Sequence, residues 1–181
     1  MAQGATMYAF NIDLADSDRG VYQSLQLRVA RHPSESEQYF LTRLLAYCME
    51  YTEGIVFSNG LFDPDEPAIA VRDLTGALRA WIDVGTPEAA RLHRAGKAAP
   101  RVAVYTHKDA GLLAGRLSLE RIHRVEALEL YALDREWLAN LAAKLTRRME
   151  FSLTIAERHV YLTLGEETLH GVIERIAVGR P

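Results

Sequence analysis

Leu78-Arg79-Ala80-Trp81-Ile82-Asp83-Val84-Gly85-Thr86-Pro87, followed by Arg101-Val102-Ala103-Val104-Tyr105, is the stretch from which the fold can be read. Residues 77–84 alternate side-chain character with the period of two that a strand imposes. Thr86 is a natural helix N-cap and Pro87 a natural first helical residue, so a helix is expected to about Ala98, ahead of Pro100. The apolar run 101–105 then reads as a buried, parallel strand. Strand, helix and strand together make a βαβ unit, for which a right-handed crossover is expected.

Immediately upstream, Ala68 to Arg72 forms a short strand and Asp73-Leu74-Thr75-Gly76 supplies turn residues, so residues 68–84 read as a hairpin. Ile69 and Val71 take the bulky apolar face, which leaves Glu66 in phase with Ala68, Ala70 and Arg72. In the second strand Leu78, Ala80, Ile82 and Val84 share one face, leaving Arg79, Trp81 and Asp83 on the other. Glu66 and Asp83 are thus expected to project from the same, less apolar face; Asp65 has the opposite phase. Two carboxylates on a sheet face, beside a helix bringing a third, is a common way to hold oxygen-ligated Mg²⁺, which can activate water for phosphodiester cleavage. The same acids also suit solvated or salt-bridged positions.

Working outward, residues 6–14 and 21–30 alternate around a turn-forming segment and read as an opening hairpin. Ser34 with Glu37 three residues later reads as a capping box for a helix to about Glu50, with Phe40, Leu41, Leu44, Tyr47, Cys48 and Tyr51 on its buried stripe. At 100° per residue Glu37 points close to Leu44, toward the packing face, while Glu35 points away at the positive helix end. Residues 55–57 form a short strand, and Ser58 to Pro67 a loop rich in Gly, Asp and Pro. On the helix after Pro87, Arg94 and Lys97 are adjacent on one basic surface, which suits either a solvated face or phosphate contact. Beyond the βαβ unit, residues 108–121 are expected to be helical with Leu112, Leu113 and Leu117 inward, and residues 124–131 a strand. Asp134 should cap a helix with a core stripe of Trp137, Leu138, Leu141 and Leu145, and strands are expected over 149–155, 159–164 and 168–178. The fold class is α/β, a mixed β-sheet with flanking helices, in one domain spanning residues 1–181.

Composition narrows the function classes. A chain of 181 residues, 49% hydrophobic and 25% charged, can bury a sizeable core. A net charge of −3 gives no global attraction to nucleic acid or anionic membrane, so any nucleic-acid contact needs a local basic patch. The single Cys48 excludes an internal disulfide and falls on an apolar helix face. No leader pattern is present, and no apolar run approaches the ~20 residues of a membrane span, so a cytoplasmic protein without a membrane partner is expected. No triad-like block and no Gly-rich nucleotide loop occurs.

The blocks Arg31-His32-Pro33-Ser34-Glu35, Asp65-Glu66-Pro67, Trp81 to Pro87 and Arg91 to Tyr105 together resemble the YaeQ family of bacteria, over essentially the whole chain. YaeQ proteins resemble compact variants of the PD-(D/E)XK nuclease fold, so the resemblance implies a restriction-endonuclease-like core. It further implies Mg²⁺- or Mn²⁺-dependent hydrolysis of nucleic-acid phosphodiesters. On that resemblance Glu66 and Asp83 hold the metal, and Glu35 or Glu37 supplies the helix carboxylate. Glu35 matches the family block and Glu37 has the better inward phase, so both are carried. Arg94 and Lys97 take the phosphate.

One departure stands out: the superfamily pattern has Lys two residues after the second acid, and here that residue is Gly85. Arg94 stands where YaeQ proteins usually have Lys, and an arginine clamps phosphate but is a poor general base. The competing reading is a catalytically degenerate nuclease-fold module that binds nucleic acid or a protein partner. The resemblance also brings a link to transcription, which fits that class.

Overall fold

The computed structural model describes residues 4–59 and 63–179; of the loop expected over 58–67, residues 60–62 lie outside the described residues. Among the described residues ten strands join in one mixed sheet, in the order β2-β1-β8-β9-β10-β7-β6-β5-β4-β3. The opening hairpin is β1 (Thr6–Asp16) and β2 (Val21–Arg31), paired antiparallel throughout. Helix α1 (Glu37–Met49) leads to β3 (Ile55–Phe57), and the central hairpin is β4 (Ile69–Arg72) with β5 (Leu78–Val84). Then come α2 (Ala89–Ala98), β6 (Arg101–Thr106), α3 (Ala110–Ser118), β7 (Glu129–Leu133) and α4 (Arg135–Ala142). The chain closes with β8 (Arg148–Ala156), β9 (His159–Leu164) and β10 (Glu167–Ile176).

The parallel pairs β5–β6 and β6–β7 are each joined through a helix, so the first of these is the βαβ unit read from residues 77–105. Two cores follow from this connectivity. α1 and α4 pack Phe40, Leu41, Leu44, Trp137, Leu138 and Leu141 on one face of the sheet, against Ile69, Ile82, Ala103 and Leu153. α2 and α3 bury Leu92, Leu113 and Leu117 on the opposite face, against Trp81, Val104 and Leu130. β5 to β7 are therefore covered on both faces, as strands in parallel βαβ units are. Strands β1 and β8 instead alternate, with Phe10, Ile12, Phe151 and Leu153 inward and their neighbours facing solvent.

This double coverage corrects the expectation of a less apolar hairpin face: Trp81 and Asp83 share that face, and both are 2% exposed. Several boundaries also differ. The N-cap of α1 is Ser36, whose hydroxyl accepts the Tyr39 N–H at 3.0 Å, so Ser34 and Glu37 form no capping box. Ser34 instead pairs with the His32 ring at 2.6 Å. α2 begins after Glu88, leaving Thr86 and Pro87 in the approach to the helix. Leu112 is 75% exposed, because α3 starts at Ala110 and turns Leu113 and Leu117 inward. The strand expected over 124–131 is shifted to Glu129–Leu133; Val125–Ala127 is a 3₁₀ turn. Asp134 caps α4 as expected, accepting the Trp137 N–H at 2.9 Å. Cys48 is fully buried, and burial pushes its thiol pKa up to about 12. No helix among the described residues is long and apolar enough to cross a membrane.

Candidate functional site

Asp83 sits near the C-terminal end of β5, on the face that α2 covers. The short connection from β5 brings Arg91 of α2 back over it. The Arg91 guanidinium donates from Nε to Asp83 Oδ2 at 2.7 Å and from Nη2 to Oδ1 at 2.9 Å, a two-pronged pairing of the strong kind. The Ala68 N–H also donates to Oδ1, at 3.2 Å. Arg91 is further fixed by the backbone carbonyls of Asp63 and Glu66, and lies 5.3 Å from the Trp81 ring centre. Glu66 thus enters through its carbonyl, while its side chain is exposed.

A second acid is held the same way on the α1 side. Glu35 is 4% exposed and receives Arg43 Nε at 2.9 Å and Nη2 at 3.1 Å, plus the His32 N–H at 2.8 Å. Arg43 also donates to the Ala30 carbonyl, and it lies between the Phe40 and Phe57 rings. Glu37, by contrast, has a half-exposed side chain 3.9 Å from Arg31. The inward and outward directions expected of Glu35 and Glu37 are therefore reversed. Glu35 precedes the helix, where the 100° rule has no force, and the backbone turn His32 to Glu35 carries it inward.

The two pairs approach one another around Tyr39, whose hydroxyl is pushed up in pKa by burial and then by the charges of Asp83 and Glu35. A cleft of about 240 Å³ opens there, lined by Glu35, Tyr39, Gly85, Thr86, His107 and Lys108. Gly85 has φ +85°, and a Cβ on it would come within 3.1 Å of the Tyr39 ring. Lys108, which follows β6, the parallel neighbour of β5, lines the same cleft. His107 stacks edge-on against Tyr39, and its buried Nδ1 has no hydrogen-bond partner. Burial first, then Lys108 and Arg135, lowers its pKa to about 4, so the ring is neutral near pH 7.

A divalent metal needs several oxygens turned to one point. Here both oxygens of Asp83 lie in the Arg91 fork, Glu35 lies in the Arg43 fork, and the Glu66 side chain points to solvent. Among the described residues no three His, Cys, Asp or Glu groups gather at metal-binding distance. The donor set as placed does not fit Mg²⁺ or Mn²⁺.

The α2 cations are placed apart from this cleft. Arg94 is exposed on the helix surface. Lys97, at its C-terminal end, lines a recess of about 490 Å³ with His93, Arg121, His123, Arg124 and Glu126. The sequence patterns behind the expected site single out neither Arg91 nor Arg43, nor the residues that Lys97 meets in this recess. A signal for Arg43 was present: an arginine inside Phe40-Leu41-Thr42-Arg43-Leu44-Leu45 must find a buried acid. Arg121 and Arg124 are far from Lys97 in sequence and only the packing of α2 against the 121–126 segment joins them.

One large mixed sheet, covered on both faces across β5 to β7 and carrying arginine-clasped acids beside a strand end, defines a mixed α/β protein. The chain belongs to the YaeQ family, whose model, described as YaeQ protein, matches residues 1–172. It is similar to the uncharacterised YaeQ protein of Escherichia coli strain K12, with 31% identity over 164 residues, 90% of this chain and 91% of that one. Similar solved structures are YaeQ from Pseudomonas syringae, with TM-score 0.86, 30% identity and coverage of 98% of both chains, and YaeQ from Xanthomonas axonopodis pv. citri. The latter has TM-score 0.79 and 26% identity, covering 98% of this chain and 99% of that one.

Proposed function

We propose that the protein is a nuclease-fold module that binds nucleic acid through its phosphates and does not use metal-dependent cleavage. One observation carries this reading: the Asp83 carboxylate expected to hold the metal is wholly engaged by Arg91. The exposed cations Arg94 and Lys97 meanwhile remain available to an anion. Such contacts act by displacing condensed counterions, so affinity should fall steeply with salt and need no divalent ion. A cytoplasmic site of action belongs to the same proposal, since that is where nucleic acid is available to a bacterial protein.

The test pairs two measurements. Labelled DNA and RNA oligonucleotides are titrated with protein over a salt series, with and without Mg²⁺, and the products are checked for cleavage. Mg²⁺ and Mn²⁺ are titrated calorimetrically into metal-stripped wild type and the Glu66→Gln/Asp83→Asn double variant. Salt-sensitive binding with intact oligonucleotide, and no metal heat that depends on the two acids, supports the proposal. Metal heat lost in the double variant, together with metal-dependent cleavage, favours the hydrolytic reading and overturns it. Absence of binding to either nucleic acid at low salt overturns it as well.

A further inference from the structure

The recess at the C-terminal end of α2 gathers cations from two segments that the fold holds rigidly together. Lys97 and His93 come from α2, and Arg121, His123 and Arg124 from the segment after α3. Among the described residues neither Lys97 nor Arg121 takes part in a salt bridge, and Glu126 is the single acid on the wall. A basic residue near a helix C-terminus is often there to satisfy the last carbonyls. Arg124 does that work, donating to the Gly96 and Ala99 carbonyls at 2.8 and 3.1 Å. The remaining cations are surplus to capping.

Two features fix the walls before any ligand arrives. A Cβ on Gly96 would lie 2.6 Å from the His123 carbonyl oxygen, so only glycine lets the 121–126 segment seat directly on the helix. Arg124 holds a left-handed φ of +52°, a conformation costly for a non-glycine residue that its two carbonyl contacts maintain. The His93 Nδ1 is buried without a hydrogen-bond partner. Its pKa is lowered first by burial and then by the charges of Lys97, Arg121 and His123, while a hydrogen bond to the Arg121 backbone opposes the shift.

We infer that this recess is a binding site for a phosphomonoester, the terminal phosphate of a nucleic-acid strand or a free phosphate group. A diester in mid-strand carries one charge and suits a flat basic surface. A monoester carries close to two charges at neutral pH and three acceptor oxygens, which suits a concave site with donors on several walls. The inference rests on the nucleic-acid reading above only for the choice of strand end as the source.

The test uses the full chain, a single-stranded oligonucleotide with either a 5′-phosphate or a 5′-hydroxyl, and inorganic phosphate alone. Anisotropy reads strand binding, and the ring NMR signals of His93 and His123 read occupancy of the recess. The expected result is about tenfold tighter binding of the 5′-phosphorylated strand, movement of both histidine signals with inorganic phosphate, and loss of both effects in Lys97→Ala/Arg121→Ala. Gly96→Ala should weaken both effects while removing no charge, which ties the site to the geometry. If inorganic phosphate moves the histidine signals but neither strand binds, the recess stands as a free-phosphate site and the nucleic-acid reading falls. If both strands bind equally and phosphate leaves the signals unmoved, the inference is overturned while that reading survives. If nothing binds and nothing moves, both are overturned.

Discussion

The cleft at Tyr39 and the recess at Lys97 both collect charged side chains beside α2 or its approach, yet they treat charge in opposite ways. Around the cleft two acids are buried and each is matched to one arginine: Asp83 to Arg91, Glu35 to Arg43. In the recess the cations are exposed and outnumber the one acid, Glu126. A buried pair is held to satisfy itself, because removing either partner strands a charge away from water. Lys97 and Arg121, exposed and outside any salt bridge among the described residues, carry no such obligation and are free to meet a ligand. The difference separates charges that hold the fold from charges that can recruit an anion, and it can be broken by mutation.

The largest effect is expected at the most buried pair. Arg43→Met leaves Glu35 buried and alone, and urea unfolding should report a loss of about 3–5 kcal/mol. Adding Glu35→Gln to that background should restore much of it. A loss under about 1 kcal/mol for Arg43→Met would mean that Glu35 is not a sequestered acid. Arg91 is partly exposed, at 21% of its side chain, so Arg91→Met should cost less, about 2–3 kcal/mol, as the freed Asp83 can recruit water.

Comparable in size is a pH dependence from His107. Its folded pKa of about 4 lies below the ordinary histidine value of about 6.5, so the unfolded chain binds more protons between the two. Stability from the neutral ring is full above about pH 6.5, falls as pH drops toward 4 with a limiting slope of about 1.4 kcal/mol per unit, and changes no further below. The stability of wild type relative to His107→Gln should fall as pH drops across that window; parallel curves would remove His107 as the cause. The smallest effects belong to the recess. Lys97→Ala and Arg121→Ala should each change stability by no more than about 0.5 kcal/mol. Each should also lower the salt dependence of nucleic-acid binding by roughly one phosphate contact. A larger stability loss would mean that these cations serve the fold after all.

How much of this was legible in the chain follows from the range of each signal. The βαβ unit at 77–105 and the opening hairpin announced themselves by local alternation and turn residues, and the family resemblance rested on blocks that the family model and the related structures bear out. Reading Asp83 onto a half-solvated face failed because alternation cannot reveal that α2 returns to cover that face. The helical phase of Glu35 failed because α1 begins two residues later, at Glu37. The Arg91 clasp lay only eight residues beyond Asp83, but nothing in a basic helix face distinguishes a buried partner from a solvated one. The recess was out of reach of any local pattern, since Lys97 and Arg121 meet through packing alone.

Gly85 has an implication for how such a chain can change over time. Its left-handed φ disfavours any side chain by roughly 1–2 kcal/mol, and a Cβ there would press on the Tyr39 ring at 3.1 Å, so the ring would have to give way slightly. Placing lysine there is therefore penalised until Tyr39 and the local backbone have altered first, and altering Tyr39 alone would open a gap between the Asp83 and Glu35 pairs. The tolerance of position 85 to substitution is thus tied to Tyr39, which makes the two positions epistatic.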